Sequence, residues 1–187
     1  MCGLNVAKSA GALAAARKTG GLGTWIKTNV AVGTNGAGAG GGAARTNGTL
    51  RAITETILKP VLQATWTKGG NPGMLMVGPH VKTVISGFAG IAAQRYQAPD
   101  GPTTIIGAAD VYVSDFGSIN IVPNRFSNPR DAFVIDTDLL SVATLRPMQV
   151  TDLAKTGDAS KSMTLVEAGL QVDNELGLGA VYDCTHS

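Results

Sequence analysis

The sequence predicts an α+β fold, because helical patterns come first along the chain and strand patterns dominate its later part. Apolar residues from Leu50 to Trp66 recur at three- and four-residue intervals, the spacing of one buried helix face. After Thr103 the period changes to two, as in Val111-Tyr112-Val113, which is typical of a strand with one buried face. A chain of 187 residues suits one domain or a compact pair of domains.

The composition describes a loop-rich folded protein and argues against several functional classes. Hydrophobic residues make up 44% of a chain that contains 25 glycines, which favours folding over disorder. A net charge of +2 with 15% charged residues lacks the basic footprint of a dedicated nucleic-acid binder. Two cysteines, Cys2 and Cys184, are too few for a disulfide framework and indicate a reducing compartment. Without a secretory signal or a bilayer-spanning apolar run, we expect a soluble protein with no membrane partner.

The amino-terminal part combines an alanine-rich segment with a glycine-rich one. Because Ala favours helix, Leu4 to Ala16 is expected to form a helix or the tail of one. Its start lacks a capping residue, which indicates that the chain begins inside this element. Thr24 to Val32 is expected to be a short strand or anchored loop, and Gly33 to Gly48 a flexible loop.

The apolar stripe that ends at Trp66 predicts the clearest helix of the chain. Pro60 conflicts with a straight helix because it has no N–H group to bond the carbonyl four residues earlier. The helix must therefore kink there or begin late, with Thr54 or Thr56 as its cap. Trp66 is expected to pack in the core, and the segment Lys68 to Pro72 ends the helix.

The remainder is predicted to form one strand-turn-helix unit and then a series of strands. Met74 to Val77 has a strand pattern, and Pro79 is suited to the first position of a helix. Phe116-Gly117-Ser118 is expected to turn a hairpin. Later strands are expected at residues 132–135, 141–145 and 162–172, with turns at Asp136-Thr137-Asp138 and Thr156-Gly157-Asp158.

One pattern in the glycine-rich loop has a known chemistry. Gly36, Gly38 and Gly41 match G-x-G-x-x-G, whose glycines let a backbone approach a pyrophosphate. The context does not fit, because no strand leads into the motif and the segment Arg45 to Gly48 interrupts the helix that should come next. We interpret the segment as a loop and keep a small nucleotide-binding enzyme as a minor alternative.

Candidate metal ligands are sparse. His80 and His186 are the only histidines of the sequence. With Cys2 and Cys184 they could form at most one four-ligand zinc site from scattered positions. We therefore predict no metal site and no cofactor.

Candidate nucleophiles and general bases have local structural interpretations. Ser114-Asp115 and Ser86-Gly87 lack the spacing of a hydrolase nucleophile and are interpreted as turn and cap residues. Four aspartates lie at turn signals, where Asp commonly bonds to local backbone; they are Asp136, Asp138, Asp152 and Asp158. The glycosylation sequon Asn47-Gly48-Thr49 has no role without a secretory route. We predict no catalytic residues and no enzyme activity.

Segments along most of the chain resemble one family of tailed-bacteriophage major capsid proteins with the Hong Kong ninety-seven fold. Each segment is common by itself, and their order and spacing together carry the resemblance. The matching segments are Ala16-Arg17-Lys18-Thr19-Gly20-Gly21-Leu22 with Trp25, Val61-Leu62-Gln63 with Trp66, Met76-Val77-Gly78-Pro79, Ser86-Gly87-Phe88, Val111 to Ser118, Val122 to Phe126, Leu145-Arg146-Pro147, Leu153 to Asp158, and finally Glu167, Leu170, Val172, Asn174-Glu175 and Gly179.

The resemblance implies a structural subunit that self-assembles into an icosahedral shell around double-stranded DNA and has no catalytic residues. It implies that residues 1–22 are a remnant of the spine helix and linker of a peripheral domain. Residues 23–150 would form an axial-type domain with the loop 33–48, and residues 151–187 would be strands that return to the peripheral domain. The family's N-terminal arm, extended loop and most of its spine helix would then be missing.

The partners implied are identical subunits in hexamers and pentamers, together with portal, scaffold or decoration proteins. Packaged DNA would be contacted only non-specifically. The implied location is the virion capsid, assembled in the cytoplasm of a bacterial host. The chief alternative is a nanocompartment (encapsulin-like) shell protein, which would co-purify with a cargo enzyme and without DNA.

Overall fold

A computed structural model describes residues 5–88, 110–155 and 157–186. Within these ranges the chain is α+β, as the sequence predicts, with helices α1 (Glu55–Thr67) and α2 (Pro79–Ser86). The strands are β1 (Val30–Ala31), β2 (Met74–Val77), β3 (Val111–Ser114), β4 (Gly117–Pro123), β5 (Ala132–Ile135), β6 (Leu140–Asp152), β7 (Ser162–Val172) and β8 (Gly179–Val181). Single 3-10 turns lie at Leu22–Thr24, Thr137–Leu139 and Glu175–Gly177. Neither α1 nor α2 has the length and apolar content needed to cross a membrane.

Six of these strands form one mixed sheet, and the other two form a separate antiparallel pair. The sheet order is β1-β8-β5-β2-β4-β3. Strand β2 runs parallel to β4 and antiparallel to β5, while β8 lies between β5 and β1. Strands β6 and β7 pair only with each other in the described structure, and we call this pair the ribbon.

The six-stranded sheet is buried on both faces at its centre. Side chains alternate along a strand, so Leu75 and Val77 of β2 pack with the two helices while Met76 points to the opposite face. On that second face Phe133 and Tyr182 meet edge to face, with ring centroids 6.2 Å apart. All four residues of β5 are buried, which explains why this strand is an uninterrupted apolar run.

Helix α1 begins at Glu55 with Thr54, one of the two predicted residues, in the cap position, but Pro60 is the sixth helical residue and still leaves one carbonyl without its helical partner. Thr54 occupies the cap position without making a side-chain cap hydrogen bond, and Pro60 lies inside the helix. Glu55 carries a negative charge in the first turn, where it complements the helix dipole. Its carboxylate lies 2.9 Å from the Lys59 ammonium one turn later.

The expected burial of Trp66 is wrong. Thr65 takes the buried position in the last turn of α1, and its hydroxyl donates to the Val61 carbonyl at 2.8 Å. Trp66 lies about 100° further around the helix and remains 54% exposed. Its ring instead rests against Phe116 of the β3–β4 turn, with centroids 5.4 Å apart.

The expected amino-terminal helix is also wrong. Where the structure describes this segment, it is non-helical and folds back on itself through isolated bridges between Ser9 and Lys18 and between Ala12 and Ala15. Gly11 has φ +80°, which an α-helix does not allow. Ala propensity alone does not offset the cost of nucleating a short helix, and tertiary hydrogen bonds such as Lys8 N–H to the Gly42 carbonyl, at 2.7 Å, take its place.

One strand boundary in the second half of the chain differs from expectation. The hairpin joining β3 and β4 is confirmed, but its turn is centred on Asp115 and Phe116, and Gly117 begins β4 at φ +128°. The domain boundary expected at residue 150 falls inside β6. Strand β8 does not accompany β7, because it returns to the middle of the six-stranded sheet.

Alanine substitutions in α1 should distinguish its buried face from its partly exposed edge, here called the rim, on which Trp66 lies. Leu62→Ala removes a side chain that is 1% exposed, so we expect the free energy of unfolding to fall by about 2 to 5 kcal/mol. The matched change Trp66→Ala removes mainly one aromatic contact and should cost about 0.5 to 1.5 kcal/mol. Denaturant unfolding of both variants measures the difference, and equal losses would contradict the rim position of Trp66.

Candidate assembly interface

The glycine-rich loop folds around a carboxylate of the same chain. The Gly33 N–H donates to Asp183 Oδ2 at 3.1 Å, and the Gly48 N–H bonds to the same carboxylate. A Cβ atom at Gly36 would lie 2.7 Å from that oxygen. The loop therefore has a packed path instead of the flexible one expected. The Gly36 N–H of the motif already donates to the Gly33 carbonyl at 2.9 Å, and the loop closes around the Asp183 carboxylate, which argues against the nucleotide-binding interpretation.

Behind this loop lies a buried cluster of charges, formed by Arg45, Arg130, Asp131 and Asp183. Arg45 forms ion pairs with Asp131 and, at 3.3 Å, with Asp183. Arg130 Nη2 lies 2.9 Å from Asp183 Oδ1 and also donates to the Gly48 carbonyl. Two cations and two anions balance, as buried charges require. The cluster ties the loop, the segment before β5 and the residues after β8 together.

The residues around Arg45 hold its side chain and backbone in place. The guanidinium stacks on the Tyr182 ring, 4.4 Å from its centroid. The Asn5 side chain accepts from the Arg45 N–H at 2.9 Å and donates to the Arg45 carbonyl at 3.0 Å. Arg45 is the only charged residue between Thr28 and Leu50. That isolation is the sequence signal that could have identified it as a buried partner.

The two carboxyl groups of the cluster differ in pKa. Burial raises the pKa of Asp131 to about 6, although the neighbouring charge of Arg45 acts in the opposite direction. Burial also acts to raise the pKa of Asp183, but the N–H groups of Gly33 and Gly48 together with Arg45 hold that pKa below its ordinary value. Asp183 is therefore the firmly ionised anion at the centre of the loop.

The candidate metal ligands are not brought together where the structure describes them. Cys184 is buried, and burial raises the pKa of its thiol to about 12, so the thiolate that a metal needs is disfavoured. His80 is the second residue of α2, and Cys2 lies outside the described residues. No cluster of three or more His, Cys, Asp or Glu that could hold a metal occurs in the described ranges.

The candidate nucleophiles and carboxylates have local backbone roles where the structure shows their bonds. Ser114 donates to the Gly117 carbonyl at 2.9 Å within the β3–β4 turn. Ser86 donates to the Lys82 carbonyl at 3.0 Å inside α2. Asp136 caps the following 3-10 turn by accepting from the Asp138 N–H at 3.1 Å. These contacts match the turn and cap interpretation made from the sequence.

The ribbon is the largest element outside the main sheet in the described structure, and its side chains are poorly buried. Strand β6 has 13 residues and β7 has 11, yet no residue of either is buried. Large apolar side chains on the ribbon are between 44% and 73% exposed; they are Val142, Leu145, Met148, Val150, Leu153 just beyond β6, Met163 and Val166. An isolated two-stranded pair is marginally stable in water, and clustered exposed apolar side chains mark an interaction surface.

The ribbon is anchored at its base and along one side. Leu140, Leu170 and Val172 pack against the core on the second face of the main sheet. Thr19 of the amino-terminal segment accepts a hydrogen bond from the Leu170 N–H at 3.2 Å. Glu167 pairs with Arg146 across the ribbon at 3.1 Å and lies 3.9 Å from Arg17. Sequence reasoning located β7 and the first residues of β6 but missed the full length of β6.

Comparison with known proteins identifies a family for nearly the whole chain. The family model described as SU10 major capsid protein matches residues 3–185. A search of curated proteins finds no significant sequence match. Among solved structures, the chain is similar to the cryo-EM structure of the holo-SrpI encapsulin complex from Synechococcus elongatus PCC 7942, with 13% identity and a TM-score of 0.43. That match covers 73% of this chain and 51% of the encapsulin chain, so the chain spans about half the length of that protein.

Removing the central cation should destabilise the fold. Arg45→Met leaves two buried carboxylates with one remaining cationic partner, so we expect the free energy of unfolding to fall by about 3 to 5 kcal/mol. Arg125→Met, at an exposed position, is the matched control and should stay within about 0.5 kcal/mol of wild type. Chemical denaturation measures both, and an Arg45→Met protein as stable as the control would contradict the structural role of the cluster.

Adding a methyl group beside Asp183 should test the packed path of the loop. A Cβ at Gly48 would lie 2.8 Å from Asp183 Oδ2 and 2.7 Å from the Gly36 nitrogen, so Gly48→Ala should cost about 1 to 3 kcal/mol. A Cβ at Gly73 meets nothing within 4 Å, and Gly73→Ala should change stability by less than about 1 kcal/mol. Thermal unfolding compares the two variants. Indistinguishable melting temperatures would show that the loop accommodates the added methyl group without loss of stability.

Proposed function

The chain belongs to the SU10 major capsid protein family, and on that premise we propose that it is a major head protein that self-assembles into an icosahedral shell around double-stranded DNA. The family match, which covers residues 3–185, is the observation that carries this proposal. The protein is thus a structural subunit of a phage capsid, and its location is the virion. We propose the Hong Kong ninety-seven arrangement for its fold within the shell.

The surface of the chain supports a role in assembly. Shell proteins draw their binding energy from extended subunit contacts and not from a pocket. The ribbon offers such a contact, because it extends Val142, Met148 and Val150 into solvent on strands that pair only with each other in the described structure. Val142 is 73% exposed, about as much as Phe126 in the turn between β4 and β5.

We propose that the six-stranded sheet with α1 and α2 corresponds to the axial domain and the ribbon to part of the peripheral domain. The polypeptide crosses to the ribbon at Asp136–Leu140 and returns at Val172–Asn174. Identical subunits in hexamers and pentamers would then meet through both parts. Portal, scaffold or decoration proteins, and non-specific contact with packaged DNA, belong to the same proposal, as does assembly in the bacterial cytoplasm.

Mass measurement by light scattering, with negative-stain imaging of the same sample, tests the proposal. We expect capsomers or shells that contain this chain, and a monomer at all accessible concentrations would contradict self-assembly by this chain. Shells that carry a cargo enzyme and exclude DNA would instead support the nanocompartment alternative. The test uses the chain at concentrations well above micromolar, since single capsid contacts are weak.

Charged substitutions on the ribbon should reduce assembly without unfolding the chain. For the double variant Val142→Asp and Val166→Asp we expect shell yield to fall at least about tenfold, because each change places a carboxylate in an apolar contact. A tenfold loss corresponds to about 1.4 kcal/mol of binding free energy. Phe126→Asp, an equally exposed apolar position away from the ribbon, is the control and should assemble nearly normally. Circular dichroism checks folding. Equal losses in both variants would show that the ribbon has no special role.

A further inference from the structure

The two faces of the ribbon differ in chemistry and in what covers them. Paired residues in an antiparallel ladder share one face, so Val142 lies beside Leu170 and Val150 beside Thr164. This first face, which we call the outer face, carries beyond its base Val142, Thr144, Val150, Thr164, Val166 and Ala168. The opposite face carries the pairs Ala143 with Gly169, Arg146 with Glu167, Gln149 with Leu165 and Thr151 with Met163.

Burial along β7 confirms that one face is covered and the other is not. Leu165, Glu167 and Gly169 are half-buried, whereas the alternating residues Thr164, Val166 and Ala168 are exposed. The cover on the half-buried side is the amino-terminal segment, which lines a groove there with Ser9 and residues 17–19. Val166 and Ala168 of the outer face also border this groove, but their side chains remain exposed in the described structure.

The edges of the ribbon are poorly suited to adding a further strand. Register shifts interrupt the β6–β7 ladder between Thr144 and Arg146 and between Arg146 and Gln149. Pro147, which has no N–H to donate, lies within the second of these shifts. On the other edge, the Leu170 N–H already donates to Thr19. Bulges and proline protect a strand edge from pairing, so the ribbon must bind through a face.

The chemistry of the outer face limits its occupant. Its exposed positions from Val142 to Val150 carry aliphatic and threonine side chains and no charge, and the first carboxylate is Asp152 at the end of β6. A surface without cations offers nothing to DNA phosphates. An uncharged aliphatic surface can meet an identical copy without like-charge repulsion, which is the condition for a self-complementary contact.

We propose that the outer face packs against the outer face of a second copy of this chain, as a two-fold symmetric contact within the shell. The inference rests on the proposed function, since the shell supplies the second copy. Eleven residues of β7 at about 3.3 Å each, on a pair of strands about 10 Å wide, give roughly 360 Å² per copy. A stable independent interface buries about 800 Å² per partner. The contact is therefore too small to form a lasting dimer alone and suits a lattice that sums many weak contacts.

Cysteine cross-linking tests this arrangement in assembled protein. In a Cys2→Ser background, the outer-face variants are Val142→Cys, Val150→Cys and Val166→Cys, used singly and as mixed pairs. Gln149→Cys and Thr151→Cys on the opposite face are the matched controls. Packed sheets lie about 10 Å apart, which a short bis-maleimide can span, and Cys184 is buried. We expect at least about five times more covalent dimer from outer-face variants than from controls.

The outcomes separate this inference from the proposed function. Shells with equal cross-linking on both faces, or with none on the outer face, would overturn the two-fold contact and leave the capsid role intact. A Val113→Cys variant, at an exposed position of the main sheet, is mixed with each outer-face variant as a further control. Outer-face cysteines that cross-link only to position 113 would also overturn the proposal, because that contact is between unlike surfaces. Neither shells nor dimers at high concentration would overturn both proposals. Negative-stain imaging of each variant confirms that the cysteines do not themselves prevent assembly.

Discussion

The buried charge cluster centred on Arg45 is the constraint on which the rest of the fold depends. Asp183 follows β8, Asp131 precedes β5, and Arg45 lies in a loop with little regular structure of its own. Since an unpaired buried charge costs several kcal/mol, none of these segments can leave without exposing the others to that penalty. The cluster therefore fixes the path of a glycine-rich loop that has little apolar surface to bury.

The ribbon differs from the charge cluster because many of its apolar side chains stay exposed to solvent. Its base is held by apolar packing of Leu170 and Val172, and one face is covered by the amino-terminal segment. Its outer face leaves Val142, Val150 and Val166 in water. A monomer gains nothing from this arrangement, whereas a subunit of a shell can bury that surface against a neighbour. A firmly packed main sheet and a ribbon with exposed apolar side chains are together typical of a subunit that binds other subunits.

Family membership and geometry make separate contributions to the functional conclusion. The SU10 major capsid protein match assigns the class of protein, and the structure identifies the surface that such a protein could use. The G-x-G-x-x-G pattern shows why both are needed. Gly36 belongs to the motif, but the anion that its backbone approaches closely is the side chain of Asp183. The motif is thus part of the protein's internal packing.

Local periodicity and residue order predicted the α+β class, the main body of α1, the β2–α2 unit, the β3–β4 hairpin and the capsid-protein resemblance. Three features instead arise from tertiary contacts: Trp66 is exposed, the described part of the alanine-rich segment is not a helix, and β8 returns to the six-stranded sheet. These outcomes depend on contacts between residues far apart in the chain, such as Trp66 with Phe116 and Lys8 with Gly42. Such contacts outweigh local propensities of a few tenths of a kcal/mol per residue, and no local pattern records them.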